Sequence, residues 1–250
     1  MHFRDELRQA RADTFKDAEA FDQVLFAMER LGSFLAGKSG ALKEFEPYLQ
    51  CIANRSPLAE DVPKQLQNWH APFNNLYDLV RVARNDAMHQ GAFARHLTTH
   101  AVELCLILED ALMADVSRAR DFMVTNPMCA QPWEPISAIR RTMLINAFSF
   151  LPVSMNSDAH QGWHLLSDLA IAKYLRGAPS SKARSERLVT SLEQAVKMDL
   201  QLTPAKTCYP TEDIVSVINL IAGHAGFPVL VIDNGGSQEL RGLITPFDAL

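Results

Sequence analysis

The chain carries two kinds of hydrophobic patterning in succession. In its first part apolar residues recur at three- and four-residue spacing, the period of one face of an α-helix. Phe21, Val24, Leu25, Met28, Leu31 and Leu35 trace such a face, and Gly37 and Gly40 end it. A second helix is predicted from Ala41 to Ala53. "RSPLAEDVP" follows as a loop with Pro57 and Pro63 as breakers. Leu76, Leu79, Val80, Ala83 and Ala87 mark a third helix that Gly91 stops. Leu97, Ala101, Leu104, Leu108 and Leu112 mark a fourth. Four amphipathic helices with short connections predict an up-down bundle.

After about Asp115 the pattern changes. "FSFLPVSM" and "GFPVLVID" are short aromatic and β-branched runs, strand-like in composition. A helical pattern precedes each: Ile136, Ile139 and Met143 before the first, Ile214, Val217 and Ile221 before the second. A turn cluster follows each, "NSDAHQG" or "NGGSQ", and then another apolar stretch, "WHLLSDLA" or "LRGLITPFDAL". This is an internal repeat, with Pro152 and Pro228 as matching points and "RGAPSSKARSE" as the linker. The predicted fold is therefore multidomain: an all-α four-helix bundle over 1–115, then an α+β unit over 116–250. "ADVSRARDFMV", Ala114 to Val124, has no Gly or Pro and is expected to be a stiff connection.

Composition narrows the classes. The 250 residues are 48% hydrophobic, ample for a core, and the net charge of −5 argues against a globally basic nucleic-acid binder. The acidic excess lies in the N-terminal half. Cys51, Cys105, Cys129 and Cys208 are far apart, with no C-x-x-C pair, so no zinc knuckle is expected. No apolar run reaches the roughly 18 residues of a membrane span, and "MHFRDELRQARAD" lacks a signal-peptide core. A reducing cytoplasmic setting is the expectation.

The repeat, through "LPV", "FPVLVID" and "GLITPFDAL", resembles a tandem pair of CBS domains, with copies at about 120–178 and 188–250. The resemblance implies one disc that binds an adenine nucleotide (AMP, ADP or ATP) in the clefts between the copies. Gly242, Thr245 and Asp248 match the family's G-x-x-[ST]-x-x-D pattern, whose hydroxyl and carboxylate act on ribose and phosphate-side groups. A helix start there would favour an anion. Thr245-Pro246-Phe247-Asp248 is equally a capping box with Pro at the first helical position, and the two roles can coexist. The first copy departs from the pattern. With Ser167 as the hydroxyl the acidic position is Ala170; with Asp168 as the acid the hydroxyl position is Leu165.

"VRVARNDAMHQG" holds the other candidate chemistry. At about 100° per residue, Arg81, Arg84, Asn85 and His89 share a face distinct from the apolar stripe. A solvated charged face has the same appearance. From Arg81 to His100 the chain has Arg81, Arg84, Arg95, His89, His96 and His100 against one acid, Asp86, a basic island suited to phosphate. "RNDAMH" matches R-N-x-x-x-H, and with the helical pattern around it the span Ala12–Ala114 resembles a HEPN domain. That resemblance implies a homodimer with a composite ribonuclease site. His89 would move protons, Arg84 would stabilise the phosphorane and Asn85 would orient His89 or a phosphate oxygen. Arg81, Arg95 and His96 would line the RNA path. The 2′-hydroxyl is the nucleophile, and neither metal nor catalytic cofactor is needed.

Two function classes follow. One is a nucleotide-regulated endoribonuclease, a toxin or phage-defence effector, with an antitoxin or other protein as partner. The other is a non-catalytic adenine-nucleotide sensor whose helical domain dimerises or holds a partner; in a third reading the CBS pair is only a dimerisation platform. His96 and His100 sit four apart, a metal-gripping spacing, but no third ligand is evident and no metal is expected. Trp69-His70 is read as loop packing, Met123 and Met128 as core or interface filler, and "SSKARSERL" as a solvated linker.

Overall fold

A computed structural model describes residues 2–16, 21–87, 94–157, 160–235 and 238–250. The side chains of 15–16, 83–87, 94–97, 156–157 and 160 also lie outside the description. The chain divides into two compact units, Met1–Val116 and Ser117–Leu250.

The first unit is helical. Its long helices are α1 (His2–Lys16), α2 (Phe21–Ala36), α3 (Leu42–Ala53), α5 (Phe73–Ala87) and α6 (Ala94–Met113). Leu7, Val24, Met28, Leu31, Phe45, Leu49, Leu76, Leu104 and Leu108 fill one core. The four expected helices are joined by α1, which sequence patterning left out. Its face is charged, yet it packs against α2 and α6 through Leu7 and Ala10. Arg11 reaches buried Glu109 of α6 with two hydrogen bonds of 2.9 and 3.0 Å. Ion pairing thus replaces part of the apolar stripe that helices of this kind usually show.

"RSPLAEDVP" is not a plain loop. Ser56 caps a 3-10 turn, Pro57–Ala59, by accepting from the Leu58 amide, and α4 (Asp61–Gln65) follows. Pro57 and Pro63 stand in first turns, where a missing N–H costs nothing. On α5 the buried stripe is Phe73, Leu76, Tyr77 and Val80, while Leu79 is exposed. The Tyr77 hydroxyl donates to Leu42 O at 2.6 Å, which allows its burial. Gly91, the expected stop, lies outside the described residues.

The connection is not one continuous helix. Helix α6 ends at Met113, and helix resumes only in α7 (Ala119–Phe122). Between them Ser117 O accepts from the Ile214 amide and the Ala119 amide donates to Glu212 O. Backbone pairing within the second unit takes up the groups of Ser117 and Ala119 without Gly or Pro.

The second unit repeats one motif twice. The first repeat has α8 (Ile136–Asn146), β2 (Phe150–Ser157), β3 (His160–Ser167) and α9 (Asp168–Arg176). The second has β5 (Lys206–Cys208), α12 (Ile214–Gly223), β6 (Val229–Ile232), β7 (Leu240–Ile244) and a 3-10 turn, Pro246–Ala249. Helix α11 (Leu192–Met198) stands before the second repeat as α7 does before the first. The short strands β1 (Val124–Thr125) and β4 (Thr203–Pro204) are exchanged. β1 completes the second repeat's sheet, order β1-β7-β6-β5, and β4 completes the first, order β2-β3-β4. All four residues of β6 are buried, as befits a strand covered on both sides.

Equivalent contacts set the register of the repeat. Ala130 pairs in parallel with Val153, and Cys208 with Val231. Glu134 accepts from the Gln131 amide, and Glu212 from the Tyr209 amide. Ala147 and Ala225, both at φ 54°, close the two helices. Pro152 therefore matches Leu230, not Pro228, a correction of two residues. Two further segments differ from expectation. "NSDAHQG" is largely hairpin strand among its described residues. "RGAPSSKARSE" contains α10 (Ser181–Val189), N-capped by Ser180, where a solvated linker was expected. Among the described residues no helix is long and apolar enough to cross a membrane.

Candidate functional site

β7 delivers Thr245 to the surface at the end of a buried strand. Ile244 is fully buried, and Pro246 opens the 3-10 turn that carries Asp248 back towards Thr245. One carboxylate oxygen of Asp248, Oδ2, accepts from the Thr245 amide at 2.9 Å and from its hydroxyl at 2.7 Å. Asp248 is itself buried. The capping arrangement is thus present. It opens a 3-10 turn, Pro246–Ala249, with Pro246 at its first position. Thr245 Oγ1 spends its proton on Asp248, so its lone pairs can accept from a ligand hydroxyl.

Gly242 has a packing reason of its own. A Cβ there would stand 2.7 Å from Val124 O and 2.8 Å from Met123 Sδ, so only Gly lets β1 approach β7. The corresponding residue of the first repeat is His164, buried, with Nδ1 3.2 Å from Gly162 O.

The register places Ser167 where the second repeat has Thr245, and Ala170 where it has Asp248. Ser167 caps α9, accepting from the Ala170 amide at 3.0 Å. Asp168 is exposed one position on, and its Oδ1 accepts from the Leu169 amide at 2.6 Å. The first repeat keeps the hydroxyl and lacks the paired carboxylate. The repeats also touch directly: Trp163 Nε1 donates to Gln238 O at 2.8 Å, and Phe150 and Phe227 lie 5.0 Å apart. Nearby, Arg241 pairs with Asp233 at 2.6 Å and holds that carboxyl below its ordinary range.

In the helical unit, Arg84 and Asn85 lie on α5, and Arg95 and His96 on α6, with side chains outside the description. His89 lies outside the described residues altogether. Arg81 is half-buried and paired with Asp78 at 2.6 Å one turn back. His100 is half-buried, its Nδ1 without a partner among the described residues. No group of three potential metal ligands occurs among the described residues.

Sequence reasoning placed Trp69 in packing, but it is 82% exposed. A cavity of about 510 Å³ lies beside it in sequence, lined by Gln67, His70 and the carboxamides of Asn54 and Asn74. It also missed a cavity of about 460 Å³ in the second unit, where Arg140, Arg176 and Arg184 converge. The signal was the basic run "SSKARSERL", read then as linker.

No curated protein matches the chain in sequence. Among solved structures, similarity extends to Hypoxic Response Protein I with two coordinated zinc ions, 20% identical over 53% of this chain and 95% of that one, TM-score 0.38. CBSX2 in complex with AMP is 18% identical over 52% and 91%, TM-score 0.40. CbpB in complex with c-di-AMP is 14% identical over 55% and 85%, TM-score 0.41. The family model described as CBS domain matches residues 196–250, so the second repeat is a CBS domain.

Proposed function

We propose that the chain is an adenine-nucleotide sensor joined to a helical effector. The nucleotide sits against the second repeat, its ribose on the Thr245 hydroxyl, which Asp248 orients. Ser167 and Asp168 make a weaker first-repeat counterpart. The observation that carries this reading is the buried Asp248–Thr245 pair inside the matched CBS domain. Calorimetric titration of nucleotide-free protein with AMP, ADP and ATP tests it. Binding of at least one, weakened severalfold by Asp248→Ala, is expected; no heat with any of the three on a folded sample overturns it. A nucleotide controls the effector only if its two states bind that nucleotide with different affinity.

For the effector, the reading is a HEPN-type endoribonuclease acting as a homodimer without metal, in a toxin or phage-defence role. Its support is "RNDAMH", whose first residues lie on α5. Arg84, Asn85 and His89 carry the chemistry; Arg81, Arg95 and His96 hold the RNA. RNA cleavage undiminished in EDTA, and lowered roughly hundreds-fold by Arg84→Ala or His89→Ala, is the expected result. One observation favours the second reading, a non-catalytic helical unit that dimerises or holds a protein such as an antitoxin: Arg81 is already paired with Asp78. Intact nucleotide binding with no RNA cleavage would select it.

A further inference from the structure

Helices α8, α9 and α10 of the second unit line a groove of which the nucleotide reading uses only Asp168. Its volume is about 460 Å³. Three guanidiniums line it from three different elements: Arg140 on α8, Arg176 in the last turn of α9 and Arg184 on α10. Asp168 is the one acid among the lining residues, and Met143 and Leu175 are buried apolar ones. Among the described residues none of the three arginines has an ion pair or a hydrogen bond from its side chain.

Position at a helix end explains Arg176, since a cation there complements the dipole of α9. It does not explain Arg140, or Arg184 in the first half of α10. Nor is α10 loosely placed. Arg187 stacks over the Tyr174 ring at 4.8 Å, donates to Tyr174 O and pairs with Asp199 at 3.6 Å. The Ser180 hydroxyl caps the helix start at 3.1 Å. This fastening holds Arg184 over the groove.

Three unpaired guanidiniums beside one carboxylate make a concentrated positive site in a chain whose net charge is −5. Each guanidinium presents a planar fork of donors that matches two phosphate oxygens. The volume falls within the roughly 300–1,000 Å³ of small-molecule pockets, which points to a compact anion over an extended polymer. The apolar lining fits the body of that molecule, and Asp168 can accept from its hydroxyls.

We propose that this groove binds a small organic polyphosphate, an anion with two or more phosphates on a hydroxylated body, separately from the Thr245 site. The full chain titrated with inorganic tripolyphosphate at low salt, and then with ATP in saturating AMP, tests it. Wild type binds tripolyphosphate, and Arg140→Ala with Arg184→Ala weakens it by about tenfold or more, since two charge-assisted contacts are lost. AMP binding, the property of the other site, is unchanged in that double variant. The control pair Arg141→Ala with Lys182→Ala removes the same charge from the same helices outside the groove and weakens binding no more than about twofold. All four residues are exposed, so each variant melts with wild type. Failure of tripolyphosphate and ATP to bind wild type overturns the proposal. Equal loss in the control pair does so too, by showing general attraction. So does binding of a single-stranded RNA with the same arginine dependence where tripolyphosphate fails. Absence of AMP binding alone bears on the Thr245 site and leaves this one standing.

Discussion

Asp248 and Thr245 satisfy each other twice: one carboxylate oxygen takes both the amide and the hydroxyl proton of the residue that begins the turn. In a buried position this pair holds the last turn of the chain against β7 and fixes which way the Thr245 oxygen faces. In the proposed site structure and recognition share the same two side chains, and a substitution has to be read for both.

Asp248→Ala leaves the Thr245 amide and hydroxyl without their acceptor. The expected cost is about 1–3 kcal/mol of stability, with nucleotide binding weakened as well. Thr245→Val keeps the amide contact and removes only the hydroxyl. It should lower stability by about 1 kcal/mol and still abolish the ribose contact. Thermal melts paired with AMP titration separate the two roles. Unchanged AMP affinity in Thr245→Val would show that the pair is a cap alone.

Gly242→Ala tests whether the family-pattern glycine serves ligand or strand. Its Cβ would meet Val124 O at 2.7 Å, backbone that has no flexible side-chain end to move. β1 must shift, at a cost of about 1–3 kcal/mol. The exchange of β1 into the second sheet is then the first thing lost, seen as faster amide hydrogen exchange at Val124 and Leu243. A melt identical to wild type would refute the packing account.

These residues also show how far sequence carries. The stripes of α2 and α6 were legible because each turns several large side chains towards one core. Helix α1 was not, because its inward face relies on Arg11 and a partner, Glu109, that lies far away in sequence. Helix α10 buries none of its residues, so it left no stripe. The choice between Ser167 and Asp168 was ambiguous by spacing alone. It needed the Ala130–Val153 and Cys208–Val231 contacts, which are tertiary, to align the repeats. Of the motif, Arg84 to Ala87 lie on α5, and His89 lies outside the described residues.

Thiol chemistry follows burial. Cys105 and Cys208 are buried, and desolvation pushes both thiols up, Cys208 to about 12. Cys129 is half-buried and raised by the same cause, while Cys51 is exposed. A disulfide exchange reagent at pH 8 should label Cys51 at once, Cys129 slowly, and the other two only on unfolding. The sign for stability is fixed by the raised folded value. The unfolded thiol ionises near about 8.5, so the contribution is full below that pH and declines as pH rises towards 12. Prompt labelling of all four thiols in the folded protein would contradict the burial.

Glu109 carries the docking of α1. It is buried on α6, accepts from Arg11 Nε and Nη2, and lies 3.8 Å from Arg8. Hydrogen bonding to it raises the Arg11 pKa further above its ordinary value. A buried pair adds little over an apolar replacement, but removing one member strands the other. Glu109→Ala should therefore cost about 3 kcal/mol, a drop on the order of 10 °C in Tm for a unit of this size. Glu109→Gln keeps an acceptor and should cost less. The double variant Glu109→Leu with Arg11→Met removes both charges and should recover most of the loss, since the remaining surface packs beside Leu7 and Leu108. Limited proteolysis locates the effect: in Glu109→Ala, cleavage within His2–Lys16 should precede cleavage in α2. Equal melting of Glu109→Ala and wild type would mean that Leu7 and Ala10 alone hold α1, and the ion pair would then be a surface feature without energetic weight.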